Sequence, residues 1–106
     1  RTCPVRGGEI PDCAGVIAFL EATTGCTVQA IAGKPSSHML GAALDRLGVT
    51  ADRCLMVGDR LATDMLMGVT AGMDTALVLS GVTQASDLAS SPVSPTFVLA
   101  SVADCP

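Results

Sequence analysis

Short apolar segments alternate with helix-like segments along almost the whole chain, and this alternation limits the possible folds more than any other feature. The apolar segments are four strand candidates, "TVQAIAG", "CLMVG", "TALVLSG" and "TFVLAS". Each follows a helical pattern or a turn-rich stretch. "CLMVG" is apolar at consecutive positions, which is typical of a parallel strand covered on both faces. The order α, β, α, β, α, β, α, β predicts right-handed βαβ units and a doubly wound parallel sheet.

The helical segments have recognisable starts and stops. The clearest is "KPSSHMLGAALDRLGV", where Pro35 and Ser36 suit the first turn and Gly48 suits the end. Its apolar residues fall on one side: Met39, Leu40, Ala43, Leu44 and Leu47. Further helices are predicted over residues 11–25 and from a Thr63 or Asp64 cap to Gly72, with Met65, Leu66 and Val69 inward, and a short helix or turn over "TQASDLASS". The first dozen residues are predicted to be a loop.

Composition excludes several classes of protein. The chain has 106 residues, 49% hydrophobic and 15% charged, which favours one folded domain or part of one over disorder. Its net charge is −4, its six basic residues are scattered and only two residues are aromatic, so nucleic acid is not expected as a partner. No apolar run approaches the roughly 20 residues of a membrane span, and a cytoplasmic protein is expected. The five cysteines lack a Cys-x-x-Cys pair, which predicts reduced thiols.

Charged residues are rare, yet three of them follow predicted strands. Lys34 follows "TVQAIAG", while Asp59 and Asp64 in "VGDRLATD" follow "CLMVG". Ligands of such sheets bind at the carboxyl ends of the strands. Two carboxylates about 4 Å apart repel by roughly 4 kcal/mol at an effective dielectric of 20, so either a cation or a raised carboxyl pKa is expected. The candidate cations are Mg²⁺ and Lys34. Taken singly, Asp64 could be a helix cap, Asp59 a solvated loop residue and Lys34 a surface lysine.

The motifs "GKPS" and "VGDRLATD", separated by a helix, a loop and a strand and followed by "SGV" at residues 80–82, resemble a known family. They are similar to the second half of haloacid dehalogenase (HAD) superfamily phosphatases, in the subfamily IIA branch of NagD-like proteins, 4-nitrophenylphosphatases and phosphoglycolate phosphatases. The resemblance covers residues 11–106. It implies a Rossmann-like, HAD-like core with a three-layer parallel sheet. Residues 11–106 would be the C-terminal part of that core domain, and residues 1–10 would end an inserted cap.

The resemblance also implies a role for each site residue. Asp59 would be a direct ligand of Mg²⁺. Asp64 would support the catalytic site without touching the metal, through a metal-coordinated water or by pairing with Lys34. Lys34 would hold the nucleophilic carboxylate and neutralise the phosphoryl group, and Gly33 would lie beside the phosphate. Cations near developing negative charge are what phosphoryl transfer requires.

One part of the family pattern has no counterpart here. The nucleophile of these phosphatases belongs to an Asp-x-Asp motif, which does not occur in this sequence. The expected function is therefore a Mg²⁺-dependent phosphatase that hydrolyses a small phosphorylated metabolite through an aspartyl-phosphate, with the nucleophile upstream. The 106 residues alone are expected to be inactive. A "CLMVG" strand without its neighbours would have an open edge, which makes a homo-oligomer possible.

Two other readings are consistent with the same charges. A non-catalytic Rossmann-like module, or a degenerate family member, could bind phosphate or a divalent ion without turnover. A receiver-like signalling domain would use similar residues, but its lysine would follow the acids instead of preceding them. His38 is expected on a helix surface, and Arg60 is expected to form at most a local ion pair.

Overall fold

Helices and strands alternate through the larger part of the chain in the computed structural model, which describes residues 2–105. The strands are β1 (Thr2–Val5), β2 (Gly8–Pro11), β3 (Leu55–Gly58), β4 (Asp74–Val78) and β5 (Phe97–Leu99). The α-helices are α1 (Cys13–Thr24), α2 (Ser37–Leu47) and α3 (Leu66–Thr70), and short 3-10 helices cover Ala51–Arg53, Ala85–Ser90 and Val102–Asp104. The chain divides into two compact units, Arg1–Ile31 and Ala32–Pro106.

The first unit is a hairpin followed by a helix. β1 and β2 pair antiparallel with Val5 opposite Gly8, and Gly7 turns the chain between them at a φ of 91°. The predicted loop is wrong here, because the Pro and Gly residues that suggested it lie at a tight turn and in a two-stranded ribbon that tolerates proline. Helix α1 matches its prediction: Asp12 Oδ1 accepts the Cys13 N–H at 2.7 Å, and Gly25 ends the helix at a φ of 69°.

The predicted strand "TVQAIAG" is not formed. Residues 27–32 have no regular secondary structure, and no strand within residues 2–105 pairs with them. The Val28 N–H donates to the Glu21 carboxylate at 2.8 Å instead of to a neighbouring strand. β-branched residues favour extended backbone, but a strand also needs a partner for its N–H and C=O groups.

The second unit contains a parallel sheet with the order β3-β4-β5, which confirms the predicted α/β fold with a parallel sheet. β4 is central and buried, with Ala76 and Leu77 fully inaccessible. Among the described residues, β3 pairs only with β4. Its residues Leu55 and Val57 are exposed. The expected burial of "CLMVG" on both faces is therefore not met within residues 2–105, because the face that carries Leu55 and Val57 is not covered there.

Helices α2 and α3 share an apolar cluster on this unit. Leu40, Met67 and Met73 are its buried centre, and Cys54 and Met56 pack against it. The predicted caps of α2 are present, since the Ser36 hydroxyl accepts the His38 N–H at 3.2 Å and Gly48 ends the helix at a φ of 67°. The predicted apolar face is only partly covered, because Met39 and Leu47 are exposed.

Two further observations concern the cysteines and the length of the helices. All five cysteines are free thiols, as the sequence predicts. Among the helices of residues 2–105, none combines the length and the apolar character that crossing a membrane requires.

Candidate active site

An ion pair joins the lysine of "GKPS" to the second aspartate of "VGDRLATD". Lys34 Nζ lies 2.6 Å from Asp64 Oδ1, and the side chains of Lys34 and Asp64 are 48% and 4% exposed. The turn that carries Lys34 is closed by the Ser36 N–H, which donates to the Gly33 carbonyl at 2.9 Å. The Lys34–Pro35 peptide bond is cis. The lysine thus offsets the charge of a buried carboxylate, while about half of the lysine side chain stays open to solvent.

Asp64 lies within a helical turn rather than at a helix start. A π-helical turn covers Leu61–Met65 and leads directly into α3, so the helix predicted to begin at a Thr63 or Asp64 cap begins earlier. The Arg60 carbonyl accepts the N–H groups of both Asp64 and Met65 at 3.1 Å, and Asp64 Oδ2 accepts the Arg60 N–H at 3.1 Å. Single π-helical turns are often found at functional sites.

The inward residues of this helical stretch differ from those expected. Of the three residues expected inward, Met65 is buried and Leu66 half-buried, whereas Val69 is 45% exposed. Met67, which is not one of those three, is buried. The additional residue of the π-helical turn changes which positions face the sheet, and a regular 3.6-residue period could not predict that change. A Cβ atom on Gly68 would contact Thr75 Cγ2 at 2.5 Å, so glycine at this position lets α3 approach β4 closely.

Gly58 is fitted to the Asp64 side chain. A Cβ atom at this position would lie 2.5 Å from Asp64 Cγ and 2.7 Å from Asp64 Oδ2. A Cβ atom essentially never lies this close to a non-bonded atom, so the glycine makes room for the buried carboxylate. Gly33 differs, because nothing lies within 4 Å of the corresponding point. Its role beside a phosphate stays a prediction.

Asp59 is held by the loop that follows β4. Its Oδ2 accepts the Val82 N–H at 2.9 Å, and its backbone carbonyl accepts the Thr83 N–H at 3.1 Å. A Cβ atom on Gly81 would overlap the Asp59 side chain. Sequence reasoning did not find these contacts. The available signal was "SGV" at residues 80–82, which carried a resemblance but no role.

The two aspartates therefore differ in what balances their charge. Asp64 has Lys34, whereas Asp59, within residues 2–105, contacts no cation, and its Oδ1 accepts no hydrogen bond there. No cluster of three or more His, Cys, Asp or Glu side chains occurs in the described part of the chain. Mg²⁺ commonly takes only one or two carboxylates, with waters and substrate phosphate completing its coordination. A half-buried carboxylate with one oriented and one free oxygen fits that requirement.

Other polar residues near these motifs make fewer contacts. His38 is exposed, as expected, and its backbone N–H forms the cap of α2. The Arg60 side chain forms no ion pair with any residue in the 2–105 range, so the local pair suggested for it is not found. Thr63 Oγ1 is buried and finds no hydrogen-bond partner among the same residues.

Known proteins are similar to this chain in sequence. A family model described as HAD-hydrolase-like matches residues 31–105. Dihydroxyacetone phosphatase from Corynebacterium glutamicum is 37% identical over 103 residues, which are 97% of this chain and 37% of that protein. Ribonucleotide monophosphatase NagD from Escherichia coli is 38% identical over 97 residues, which are 92% of this chain and 38% of that protein. The chain thus spans well under half the length of these relatives.

Solved structures give the same result. The p-nitrophenyl phosphatase from Archaeoglobus fulgidus superposes with a TM-score of 0.86 at 34% identity, covering 98% of this chain and 41% of that one. The match includes the segments that carry Lys34, Asp59 and Asp64. With the family model and the phosphatase relatives, it shows that the chain belongs to the haloacid dehalogenase superfamily, in the subfamily IIA branch of NagD-like and 4-nitrophenyl phosphatases.

Proposed function

We propose that the whole protein is a Mg²⁺-dependent phosphatase that hydrolyses a small phosphomonoester through an aspartyl-phosphate. The names of its relatives support phosphatase chemistry, since they include a dihydroxyacetone phosphatase, a ribonucleotide monophosphatase and a phosphoglycolate phosphatase. The attacking aspartate is proposed to lie outside these 106 residues, which contain no Asp-x-Asp motif. This chain would contribute the lysine and the metal-binding acid.

The arrangement of three charged side chains is the observation that carries this proposal. Lys34 is paired with the buried Asp64, and Asp59, at the end of β3, keeps an unneutralised carboxylate. Because ligands of parallel sheets bind at the carboxyl ends of strands, a phosphate placed there would meet both an ammonium group and the metal-binding acid. Positioning and cationic groups supply most of the catalysis in phosphoryl transfer.

Lys34 is proposed to hold both the nucleophile and the substrate. An ammonium group has three N–H donors, and one of them suffices for Asp64 at 2.6 Å. The remaining two can donate to the attacking carboxylate and to a phosphoryl oxygen, which fixes the two reacting groups relative to each other. Asp64 then acts as a positioning residue, because it restricts the flexible lysine to one orientation. The backbone beside Gly33 is proposed to border the phosphate.

Asp59 is proposed to be the ligand that this chain supplies to Mg²⁺. The bound ion would neutralise negative charge on the phosphoryl oxygens. Val82 orients one carboxylate oxygen, and the other accepts no hydrogen bond within residues 2–105. Asp59 therefore needs no rearrangement of its hydrogen bond before it binds a cation.

The test is hydrolysis of 4-nitrophenyl phosphate by the whole protein. We expect turnover with Mg²⁺ and almost none with excess chelator. Asp59→Asn should lower kcat/KM by about 1,000-fold or more, since loss of a charged ligand removes several kcal/mol of transition-state stabilisation. Asp45→Asn is the matched control, because Asp45 is an exposed aspartate on α2 and should give wild-type rates. Full activity in Asp59→Asn would exclude its proposed role.

The same assay separates this proposal from the non-catalytic alternative. A protein that binds Mg²⁺ and inorganic phosphate but hydrolyses none of a panel of sugar phosphates, nucleoside monophosphates and phosphoglycolate would be a binding protein. The 106-residue chain alone is expected to show no turnover at any Mg²⁺ concentration. We also propose a cytoplasmic location and no nucleic-acid or membrane partner. A homo-oligomer is a further proposal, which light scattering on the whole protein would test.

A further inference from the structure

We infer that the loop of residues 80–83 is a positioning device for Asp59, and that Gly81 and the Val82 N–H set the affinity of the protein for Mg²⁺. This inference rests on the proposed role of Asp59 as the metal ligand. It adds residues that do not touch the metal and that belong to a different strand connection. Gly81 and Val82 are thus positioning residues rather than catalytic ones.

Two hydrogen bonds attach the loop to Asp59 from opposite ends of the residue. The Val82 N–H donates to Oδ2 of the side chain at 2.9 Å, and the Thr83 N–H donates to the backbone carbonyl at 3.1 Å. Thr83 is only 6% exposed, which anchors the end of the loop in the unit. The side chain of Asp59 is therefore fixed relative to its own backbone by two neighbouring N–H groups.

Glycine is required at position 81 because of the neighbouring Asp59 side chain and not because of the backbone conformation of residue 81. Four glycines of the chain adopt positive φ angles, and Gly81 is not among them. The residue is also exposed, so a side chain would not be excluded by general packing. Yet a Cβ atom would overlap Asp59, with Cγ at 2.6 Å. The contact with Asp59 is thus the constraint that selects glycine at this position.

The nature of the donor matters for metal binding. A backbone N–H is neutral, so it orients the carboxylate without cancelling the charge that attracts Mg²⁺. A lysine or arginine in its place would compete with the metal. Any side chain at residue 81 would either turn Asp59 away or move the loop and its N–H. Outer partners of metal ligands typically change affinity by about 10-fold to 100-fold when they are lost.

The experiment compares Mg²⁺ binding in the whole protein and in Gly81→Ala by isothermal titration calorimetry. We expect the Kd of Gly81→Ala to rise about 10-fold to 100-fold. The Mg²⁺ concentration for half-maximal turnover of 4-nitrophenyl phosphate should rise by the same factor, with kcat at saturating Mg²⁺ less affected. Gly41→Ala is the matched control, since no atom lies within 4 Å of its Cβ position, and it should bind Mg²⁺ as the wild type does.

A second measurement needs no variant. In ¹⁵N-labelled whole protein, the Val82 amide resonance should shift when Mg²⁺ is added, because its acceptor becomes a metal ligand, whereas the Gly41 amide should not move. Wild-type Mg²⁺ affinity in Gly81→Ala, or a Val82 amide that does not respond, would overturn the inference.

The inference and the proposed function fail separately. Suppose that the wild type binds Mg²⁺, that Gly81→Ala weakens this binding, and that neither protein hydrolyses a phosphomonoester. The proposed enzymatic function would then be rejected, and the positioning role of the loop would stand. Mg²⁺-dependent hydrolysis together with an unchanged Kd for Mg²⁺ in Gly81→Ala would support the enzymatic function and reject the positioning role of the loop. Absence of Mg²⁺ binding in the wild type would remove both.

Discussion

Asp59 and Asp64 stand five positions apart in one short segment, yet the protein treats them in opposite ways. Asp64 is 3% exposed, paired with a lysine and packed against Gly58. Asp59 is half-buried, contacts no cation within residues 2–105 and is oriented by a neutral backbone N–H. One carboxylate is paired with a lysine inside the fold, and the other has no cation beside it among the described residues.

The difference shows how a protein can place two acids together without leaving both charges unbalanced. Burying a carboxylate is costly unless a cation and hydrogen bonds accompany it, and Asp64 has both. Asp59 avoids that cost by remaining partly solvated. We therefore expect changes around Asp64 to affect mainly stability and lysine position, and changes around Asp59 to affect mainly metal binding.

The largest effect on stability is expected from Gly58→Ala. Its new methyl group would overlap the Asp64 side chain, which is buried and cannot move freely. We expect the free energy of unfolding to fall by about 2–3 kcal/mol, in the upper range for overpacked sites. Urea denaturation of the whole protein measures this. Gly41→Ala should be neutral or slightly stabilising because α2 is open at that position, and an equally stable Gly58→Ala would contradict the packing described for Asp64.

A smaller effect is expected for the ion pair itself. In a double-mutant cycle of Lys34→Met and Asp64→Asn, we expect a coupling free energy of about 1–2 kcal/mol, below that of a fully buried pair because Lys34 is 48% exposed. The same cycle with Lys34→Met and Asp59→Asn should give a coupling below about 0.5 kcal/mol. Equal coupling free energies in both cycles would mean that Lys34 interacts equally strongly with Asp59 and Asp64.

The smallest effect is expected for Asp59→Asn on stability. The asparagine carbonyl can still accept the Val82 N–H, and the residue is partly solvated, so the free energy of unfolding should change by no more than about 0.5 kcal/mol. Thermal or urea denaturation without Mg²⁺ measures this. A loss as large as that of Gly58→Ala would show that Asp59 is a structural acid like Asp64.

Much of the fold could be predicted from local patterns. Helices α1 and α2 have caps at Asp12, Gly25, Ser36 and Gly48, and each cap is readable from sequence. The central strand β4 contains the apolar run of residues 76–78, which is readable in "TALVLSG". Two of the failures are places where the outcome depends on another segment: "TVQAIAG" lacks a pairing partner within residues 2–105, and the β1–β2 ribbon forms across a turn that looked like a loop.

The residues of the candidate site could be proposed from the sequence, but their contacts could not. Spacing and resemblance identified Lys34, Asp59 and Asp64, because charged residues after apolar strands are rare in this chain. They could not identify the π-helical turn, because its additional residue interrupts the regular helical period. They also could not identify the contact of Gly81 with Asp59, because these positions are 22 residues apart in the sequence. Only the packing of two strand connections against each other makes Gly81 part of the site.

Within residues 2–105, β3 has one edge without a paired strand, which bears on how the remaining part of the proposed catalytic centre could be added. Neighbouring strands lie about 4.8 Å apart, and parallel strands finish on the same side of a sheet. A further parallel strand hydrogen-bonded along Leu55–Gly58 would therefore bring its own final residue within about one strand spacing of Asp59. That separation is short enough for two carboxylates to share a single cation. Backbone pairing alone would then align an attacking group with the metal ligand.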